Sequence, residues 1–195
     1  MRRIFLLSPA HSGGKRAHLI RNPAATFDLA RRVRDRGGAP VGEVFAFLSG
    51  LYFRGKLAYA HAYAQPSPAG VMIITPADGL VPPDQPITLA DLDRYAGIPV
   101  AADEQRYRRP LERDAARVAK RLGRGAEVIL LGSLATQKYL DVLQPIFDHR
   151  LRVPRDFLGR GDMSRGALLL RAVRDGRELE YIATAEAAAR ARVRR

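Results

Sequence analysis

A glycine- and arginine-rich segment, Gly159–Gly166, carries residue types that suit bond-breaking chemistry. Its sequence, Gly-Arg-Gly-Asp-Met-Ser-Arg-Gly, places Asp162 between Arg160 and Arg165. Neighbouring guanidinium groups favour the ionised form of a carboxyl group. Cleavage of a glycosidic bond requires such a carboxylate beside a developing cation or an attacking water. Asp162 is therefore a candidate catalytic residue, and the alternative is a structural Asp–Arg ion pair that fixes the loop.

A second polar segment, Ser8–Arg16, combines hydroxyls, an imidazole, glycines and cations. Glycines allow backbone N–H groups to approach an anion, and Lys15 and Arg16 add positive charge. We expect His11 to polarise a base or leaving group, and the alternative for the whole segment is a solvated glycine turn. The residues expected to contact a phosphate or an extruded nucleotide are Ser8, Ser12, Lys15 and Arg16 here, and Arg160, Ser164 and Arg165 in the segment around Asp162.

A third candidate catalytic group is Asp78, in the segment Thr75–Leu80. This carboxylate comes just after the apolar run Val71–Ile74. The pair Asp78-Gly79 is also common in ordinary turns. The sequence therefore leaves open whether Asp78 or Asp162 supplies the reactive carboxylate.

The segment Gly50–Leu57 matches the pattern G-x-x-x-x-G-K but ends in Leu instead of Ser or Thr. A phosphate-binding loop of this kind needs that hydroxyl to bind magnesium, so a nucleotide-dependent enzyme is disfavoured. An aromatic–basic contact with nucleic acid fits better, with Tyr52 stacking on a base while Arg54 and Lys56 bind phosphates. The alternative is the start of a core helix. No lysine is expected in an apolar site suited to a Schiff base, so lyase activity is not expected.

These segments must be positioned by alternating strands and helices. Apolar runs bounded by turn residues predict buried strands, and apolar residues at helical spacing predict helices. Residues 44–48 are ambiguous between strand and helix. The predicted strands are residues 3–7, 71–74, 127–131 and 151–154, and the predicted helices are residues 27–36, 57–63, 107–122 and 134–143, with a short helix capped by Thr88.

The carboxyl-terminal part contains Asp175-Gly176 between two strand-like runs, residues 168–173 and 178–183. Asp-Gly in this setting predicts a β-hairpin. The whole pattern predicts an α/β three-layer sandwich with a short, mainly parallel sheet and a carboxyl-terminal hairpin. We expect one domain over residues 1–184 and a basic tail over residues 185–195. Ligands bind such folds beyond the carboxyl ends of the strands, where the polar segments follow.

The amino-acid composition indicates which class of molecule the protein binds. Lys and Arg together number 33 against 20 acidic residues, which gives a net charge of +13 in a chain of 195 residues. Most of this charge is arginine, whose guanidinium binds phosphate in a bidentate way and stacks on bases, so a polyanion is expected. The absence of cysteine excludes disulfides and thiolate metal sites. We expect no metal or other cofactor, no membrane span and a cytoplasmic protein.

Three short stretches give the chain a resemblance to the uracil-DNA glycosylase superfamily. Leu130–Ala135 resembles the Leu-Gly-x-x-Ala step that opens a helix after the third strand of that superfamily. Ser8–Arg16 corresponds to the water-activating loop, and Arg160–Gly166 to the loop that enters the minor groove. The segment Gly79–Pro82 resembles a step found in the glycosylase-like domain of archaeal tRNA-guanine transglycosylases and in the bacterial peroxide-stress protein family. The order of elements extends the resemblance over residues 3–172.

The resemblance implies a DNA glycosylase that extrudes a modified base and hydrolyses its N-glycosidic bond without a cofactor. Among bacterial members, the chain is similar to anti-phage enzymes that remove hypermodified cytosines, so we expect a role in phage defence or repair. The first loop lacks the usual Asp or Asn, and the last lacks the usual His-Pro-Ser, so Asp162 or Asp78 would supply the carboxylate. DNA is the expected partner and RNA the alternative. The alternative function is a non-catalytic nucleic-acid-binding protein of stress response or tRNA handling.

Overall fold

The computed structural model of the protein describes residues 2–66, 69–123, 125–133 and 137–187. Its strands are β1 (Arg3–Leu7), β2 (Ala39–Pro40), β3 (Val71–Ile74), β4 (Leu80–Val81), β5 (Pro86–Ile87), β6 (Glu127–Leu131), β7 (Leu151–Pro154) and β8 (Tyr181–Ala183). Its α-helices are α1 (Lys15–Arg21), α2 (Asp28–Arg34), α3 (Val41–Ser49), α4 (Leu51–Tyr63), α5 (Leu89–Ala96), α6 (Gln105–Arg121), α7 (Leu140–Phe147) and α8 (Asp162–Arg174).

The described strands form one main sheet and one small separate pair. The main sheet has six strands in the order β4-β3-β1-β6-β7-β8, and β2 pairs with β5. The inner strands β3, β1, β6 and β7 are parallel, while β4 and β8 add antiparallel edges. In the register, Phe5 of β1 lies opposite Val71 of β3 and Ile129 of β6. The predicted α/β class with a mainly parallel sheet is confirmed.

The sheet is apolar on both faces because its central strands are buried on both sides. Along β1, Phe5 and Leu7 point into one hydrophobic core, while Ile4 and Leu6 point into the other. Residues of α1–α5 and α8 complete the first core, and residues of α6 and α7 complete the second. The sheet therefore lies between two helical layers. Among the residues that the structure describes, no helix has both the length and the apolar composition needed to cross a membrane.

The predicted carboxyl-terminal β-hairpin is wrong. Residues 162–174 form the helix α8, which packs against α4, and only residues 181–183 form a strand. Asp175 is the C-cap of α8, and Gly176 has φ +60°. A glycine with positive φ is as typical of a helix end as of a hairpin turn. The packing of residues 162–174 against α4 selects the helix over the hairpin. β8 pairs with β7 instead, at the edge of the sheet.

Two other predicted elements have different bounds in the structure. Residues 44–48 belong to the helix α3, and α4 begins at Leu51, so Gly50–Leu57 is not a loop. The helix predicted to start directly after Gly132-Ser133 starts at Leu140 among the described residues. Residues 134–136 of that prediction lie outside the described part of the chain. Thr88 caps α5, as expected, in a reciprocal capping box with Asp91.

The predicted tail, residues 185–195, includes one residue of the core. Ala187 is buried and packs in the second hydrophobic core with Ile182 and Leu151. Residues 188–195, which carry all of the basic residues of the predicted tail, lie outside the described residues. The domain in the structure therefore includes residue 187.

Candidate functional site

The parallel strands bring the predicted segments to one edge of the sheet. Ser8 follows β1, Thr75 follows β3, Gly132 follows β6 and Arg155 follows β7. Since β3, β1, β6 and β7 are parallel, their carboxyl ends meet at the same edge. A Cβ atom on Gly132 would lie 3.2 Å from the Cβ of Ser8, so the end of β6 packs directly on the first loop. We call this region the carboxyl edge.

A close crossing of α4 and α8 places the polar residues of both helices at the carboxyl edge. A Cβ atom on Gly55 would lie 2.7 Å from the carbonyl oxygen of Gly166, and one on Gly166 would lie 2.8 Å from the Cα of Tyr52. Real Cβ atoms do not approach other atoms so closely, so only glycine permits this contact. Gly55, the second glycine of the G-x-x-x-x-G-K match, is therefore an interhelical contact. The crossing brings Tyr52 and Lys56 close to the first turn of α8.

Lys56 is bound to the first loop by two hydrogen bonds. Its Nζ donates to the carbonyl oxygen of Ser8 at 2.6 Å and to the hydroxyl of Ser8 at 2.9 Å. The Lys56 side chain is buried, with only 1% of the residue exposed, and Ser8 is 5% exposed. The expectation that no lysine lies in an apolar site is therefore wrong.

Lys56 lies beside two aromatic rings, and its burial controls its charge. Its Nζ lies 4.6 Å from the ring centroids of both Tyr52 and Phe53. Burial is the largest influence on the amine, and it lowers the pKa of Lys56 to about 7, with Asp162 opposing this shift and Arg165 adding to it. Burial likewise raises the pKa of Tyr52 to about 12. An amine with this pKa changes its protonation state near neutral pH.

We refer to Ser8, Tyr52, Lys56, Tyr139 and Arg165 as the Ser8 cluster. Tyr139, which precedes α7, is buried and its hydroxyl interacts with the hydroxyl of Ser8. The expected contact of Tyr52 and Lys56 with nucleic acid at the surface is wrong, because both side chains are buried in the first core layer. Instead, the structure joins them to Ser8 and Arg165, residues that the sequence placed in separate segments.

Asp162 is the first residue of α8 and remains largely open to solvent. Its carboxylate is 66% exposed and accepts one hydrogen bond at 3.3 Å from the guanidinium of Arg165. Arg165 is buried and also donates to the carbonyl oxygen of Phe157. A carboxylate in the first turn of a helix is favoured by the helix dipole. Asp162 therefore has the free lone pairs that a ligand or a water needs.

Asp78 is bound within the protein far more completely. Both of its carboxylate oxygens accept hydrogen bonds from Arg94, at 2.6 and 3.0 Å, and the hydroxyl of Tyr95 donates a third bond at 2.5 Å. Its backbone N–H donates to the hydroxyl of Thr75 at 2.9 Å. These bonds join the loop after β3 to α5. Of the two candidate carboxylates, Asp162 is the one available for chemistry.

His11 lies in the wall of a cleft of about 300 Å³ at the carboxyl edge. The imidazole is exposed and packs over the backbone of Gly13 and Gly14. Tyr95, whose hydroxyl donates to Asp78, also lines this cleft, while Asp78 itself does not. The remaining lining is mostly apolar and consists of Ala10, Ser12, Pro76, Ala96, Gly97, Ile98, Pro99 and Val100.

The predicted phosphate-binding cations differ in their availability. Lys15 at the start of α1 and Arg54 on α4 are exposed. Arg16 is exposed but donates to the carbonyl oxygen of Phe47 at 2.9 Å, which ties α1 to the end of α3. The exposed Arg160 donates to the hydroxyl of Ser164 at 3.0 Å. The side chains that present free donors toward solvent at this edge are therefore chiefly Lys15, Arg54 and Arg160.

Two features of the site were not found from the sequence. Met163 is 67% exposed beside Asp162, which is unusual for a large apolar side chain. The sequence signal for this exposure was the position of Met163 between two polar residues, Asp162 and Ser164, at the start of a helix. Tyr139 was missed because it follows residues 134–136, where the sequence predicted an uninterrupted helix. Among the described residues there is no group of three or more His, Asp or Glu side chains that could bind a metal ion.

Comparison with protein-family models, with curated proteins and with solved structures gives no significant match. The family of the chain is therefore not assigned, and its function is inferred from the geometry of the carboxyl edge.

Proposed function

We propose that this protein is a DNA glycosylase that binds an extruded, modified nucleotide at the carboxyl edge and hydrolyses its N-glycosidic bond. Hypermodified cytosine is the proposed substrate class, in phage defence or repair. Asp162 stabilises the positive charge that develops on the sugar as the bond breaks. His11 contacts the base in the cleft. Lys15, Arg54 and Arg160 bind backbone phosphates on either side of the extruded nucleotide.

The observation that carries the proposal is the surface at the start of α8. There an exposed carboxylate, Asp162, adjoins an exposed apolar side chain, Met163, and an exposed guanidinium, Arg160. Proteins that distort a duplex insert an apolar side chain between base steps and hold the adjacent phosphates with arginine. A carboxylate at the same place is positioned to act on the nucleotide that such a wedge displaces.

The test is release of a free base. Purified protein is incubated with phage DNA that carries hypermodified cytosines, and the supernatant is analysed for bases by mass spectrometry. We expect a released modified base and matching alkali-labile abasic sites, with neither product from unmodified DNA. Gel-shift binding without any released base would contradict the proposal and support a non-catalytic nucleic-acid-binding protein.

Met163→Ala tests the proposed wedge. Extruding a nucleotide from a duplex requires unstacking that costs a few kcal/mol, and a single strand requires much less. We expect base release from duplex DNA to fall about tenfold, which corresponds to about 1.4 kcal/mol, and release from single-stranded DNA to stay unchanged. The matched control is Leu19→Ala, which removes another exposed apolar side chain, on α1. An equal loss on both substrates would show that Met163 does not act as a wedge.

A further inference from the structure

Hydrolysis of an N-glycosidic bond needs a group that takes a proton from the attacking water. Asp162 is ion-paired with Arg165 and, in the proposed function, stabilises positive charge. Asp78 is occupied by Arg94 and Tyr95. Since the proposed function assigns Asp162 to the sugar and His11 to the base, we look for the proton acceptor among the other groups at the carboxyl edge. The Ser8 cluster contains the only amine there that is shielded from water among the described residues.

Resting on the proposed function, we propose that Ser8 and Lys56 form a proton-transfer pair that activates the attacking water. The water oxygen forms a bond to C1′ of the sugar while the C1′–N bond breaks, and the electron pair of that bond stays on the base nitrogen. The proton of the water passes to the hydroxyl of Ser8, whose own proton passes to Nζ of Lys56. The resulting ammonium later returns this proton to the departed base or to solvent. Ser8 is the residue that touches the reacting water, and Lys56 acts through it.

The hydrogen bonds of Lys56 fit this exchange. A neutral amine donates through its N–H groups and accepts through one lone pair, whereas an ammonium only donates. Nζ lies 2.6 Å from the carbonyl oxygen of Ser8, which only accepts, so this contact requires a donated N–H in either state. Nζ lies 2.9 Å from the hydroxyl of Ser8, which both donates and accepts. The hydroxyl contact therefore remains in both protonation states, with its direction reversed.

The surroundings of Lys56 disfavour the ammonium form at rest but allow it to form during proton transfer. The rings of Tyr52 and Phe53 of α4 face the amine and attract its charged form. Burial, however, lowers the pKa of the amine most strongly, and Arg165 of α8 adds like charge. Asp162 of α8 opposes these effects and favours the ammonium. Tyr139 faces the hydroxyl of Ser8 from the side of α7. With a pKa of about 7, a large share of the amine is neutral and able to accept a proton at neutral pH, and Asp162 stabilises the ammonium once it has formed.

Two further hydroxyls in this region lack partners. The hydroxyls of Ser12 and Tyr52 are buried and make no hydrogen bond to the described residues. Burial raises the pKa of the Tyr52 hydroxyl to about 12, although the nearby guanidinium of Arg165 opposes this shift. Buried hydroxyls without partners are unfavourable in the free protein, because they lose their bonds to water. They are suited to bind the polar groups of a ligand or a water next to Ser8.

The first measurement is the titration of Lys56 in the wild-type protein without DNA. The chain has four lysines, Lys15, Lys56, Lys120 and Lys138, so the ¹⁵Nζ resonances can be assigned with single Lys→Arg variants. We expect the Lys56 resonance to titrate near pH 7, well below the usual range of a lysine amine. A Lys56 resonance that titrates near 10 would overturn the proposal, whatever activity the protein has.

The stability of the fold should follow the same titration. Lys56 has a pKa of about 7 in the folded chain against 10.5 when unperturbed, so the unfolded chain binds more protons between these values. The free energy of unfolding should therefore rise with pH from about 7 to 10.5, and Lys56→Met should remove this rise. The same pH dependence in the wild type and in Lys56→Met would contradict a neutral buried amine.

The second measurement is the pH–rate profile of base release. In the wild type the rate should increase with pH through a midpoint near 7, because only the neutral amine accepts a proton. Ser8→Ala and Lys56→Met should each lower the rate about 10²-fold and abolish this midpoint. Lys56→Arg, which keeps a charge and hydrogen-bond donors, should not restore the rate. Lys120→Met, on the outer surface of α6, is the control and should keep both rate and midpoint.

The outcomes separate this inference from the proposed function. If Ser8→Ala releases base at the wild-type rate with an unchanged profile, the proton-transfer pair is refuted while the glycosylase activity stands. A DNA adduct on Lys56 trapped by borohydride would also refute it, because the amine would then attack the sugar itself. A wild-type protein that binds DNA and releases no base would refute the proposed function and this inference together. If Lys56→Met does not fold, the titration of the wild type and the Ser8→Ala profile decide.

Discussion

Asp162→Asn should lower the rate of base release by about 10²–10³-fold, the loss typical of removing one stabilising group from a transition state. The substitution keeps the shape of the side chain and removes its charge, which matters most when the sugar becomes positive. DNA binding should stay the same or improve, since one negative charge near phosphates is lost. Single-turnover base release measures the chemical step, and a gel shift measures binding.

The structure makes this prediction sharper because Asp162 contributes little to the fold. Its carboxylate is 66% exposed, and its one ion pair, to Arg165, is 3.3 Å long. Exposed pairs of this kind contribute about 0–1 kcal/mol to stability. The melting temperature of Asp162→Asn should therefore stay close to that of the wild type. A large loss of stability, with binding and rate falling together, would assign Asp162 a structural role instead.

Asp78→Asn is the matched control, since it removes the same charge from the other candidate carboxylate. Asp78 accepts three side-chain hydrogen bonds, from Arg94 and Tyr95, which hold α5 against the loop after β3. We expect Asp78→Asn to lower the melting temperature. The free energy of unfolding should fall by about 1 kcal/mol, because the ion pair with Arg94 is partly exposed. The rate of base release should change little. Full base release in both variants would contradict the carboxylate mechanism and favour a site built from His11 and backbone groups.

The sequence predicted the strands of the sheet well because each is a short apolar run between turn residues. β1, β3, β6 and β7 all appear where these runs occur. The error at α8 has a physical cause, since the run Leu168–Leu170 suits a strand or a helix equally by local preference. The contact of Gly166 with the backbone of Tyr52 selects the helix, and a contact between residues so distant in sequence leaves no local pattern.

The burial of Lys56 could have been predicted from helical spacing. Positions 52, 53, 59 and 60 lie three or four residues from Lys56 and carry aromatic or small residues. In a helix these positions share one face, which places Lys56 in the middle of an apolar stripe. The resemblance of Gly50–Lys56 to a phosphate-binding loop concealed this spacing. Its partner Ser8 was not predictable, because the bond between them depends on how α4 lies across the sheet.

The affinity for DNA should fall about 10³-fold between 50 and 200 mM salt. If about six phosphates are neutralised, the logarithm of the binding constant falls with the logarithm of salt at a slope near −5. The net charge of +13 makes such a slope expected. Fluorescence anisotropy of a labelled duplex across this salt range measures it. A flat response would exclude nucleic acid as the main partner.

Single substitutions of basic residues show where the phosphates bind. Arg54→Ala and Arg160→Ala remove exposed guanidinium groups at the carboxyl edge, and each should reduce the magnitude of the slope by about 1. Arg94→Ala is the control, because this arginine already binds Asp78 and Asp91 and releases few counterions when DNA binds. Its slope should remain near that of the wild type. A defined binding surface distinguishes free guanidinium groups from paired ones, whereas the overall charge of the protein does not. Equal changes of slope in all three variants would therefore mean that DNA binds through the overall charge and not at the carboxyl edge.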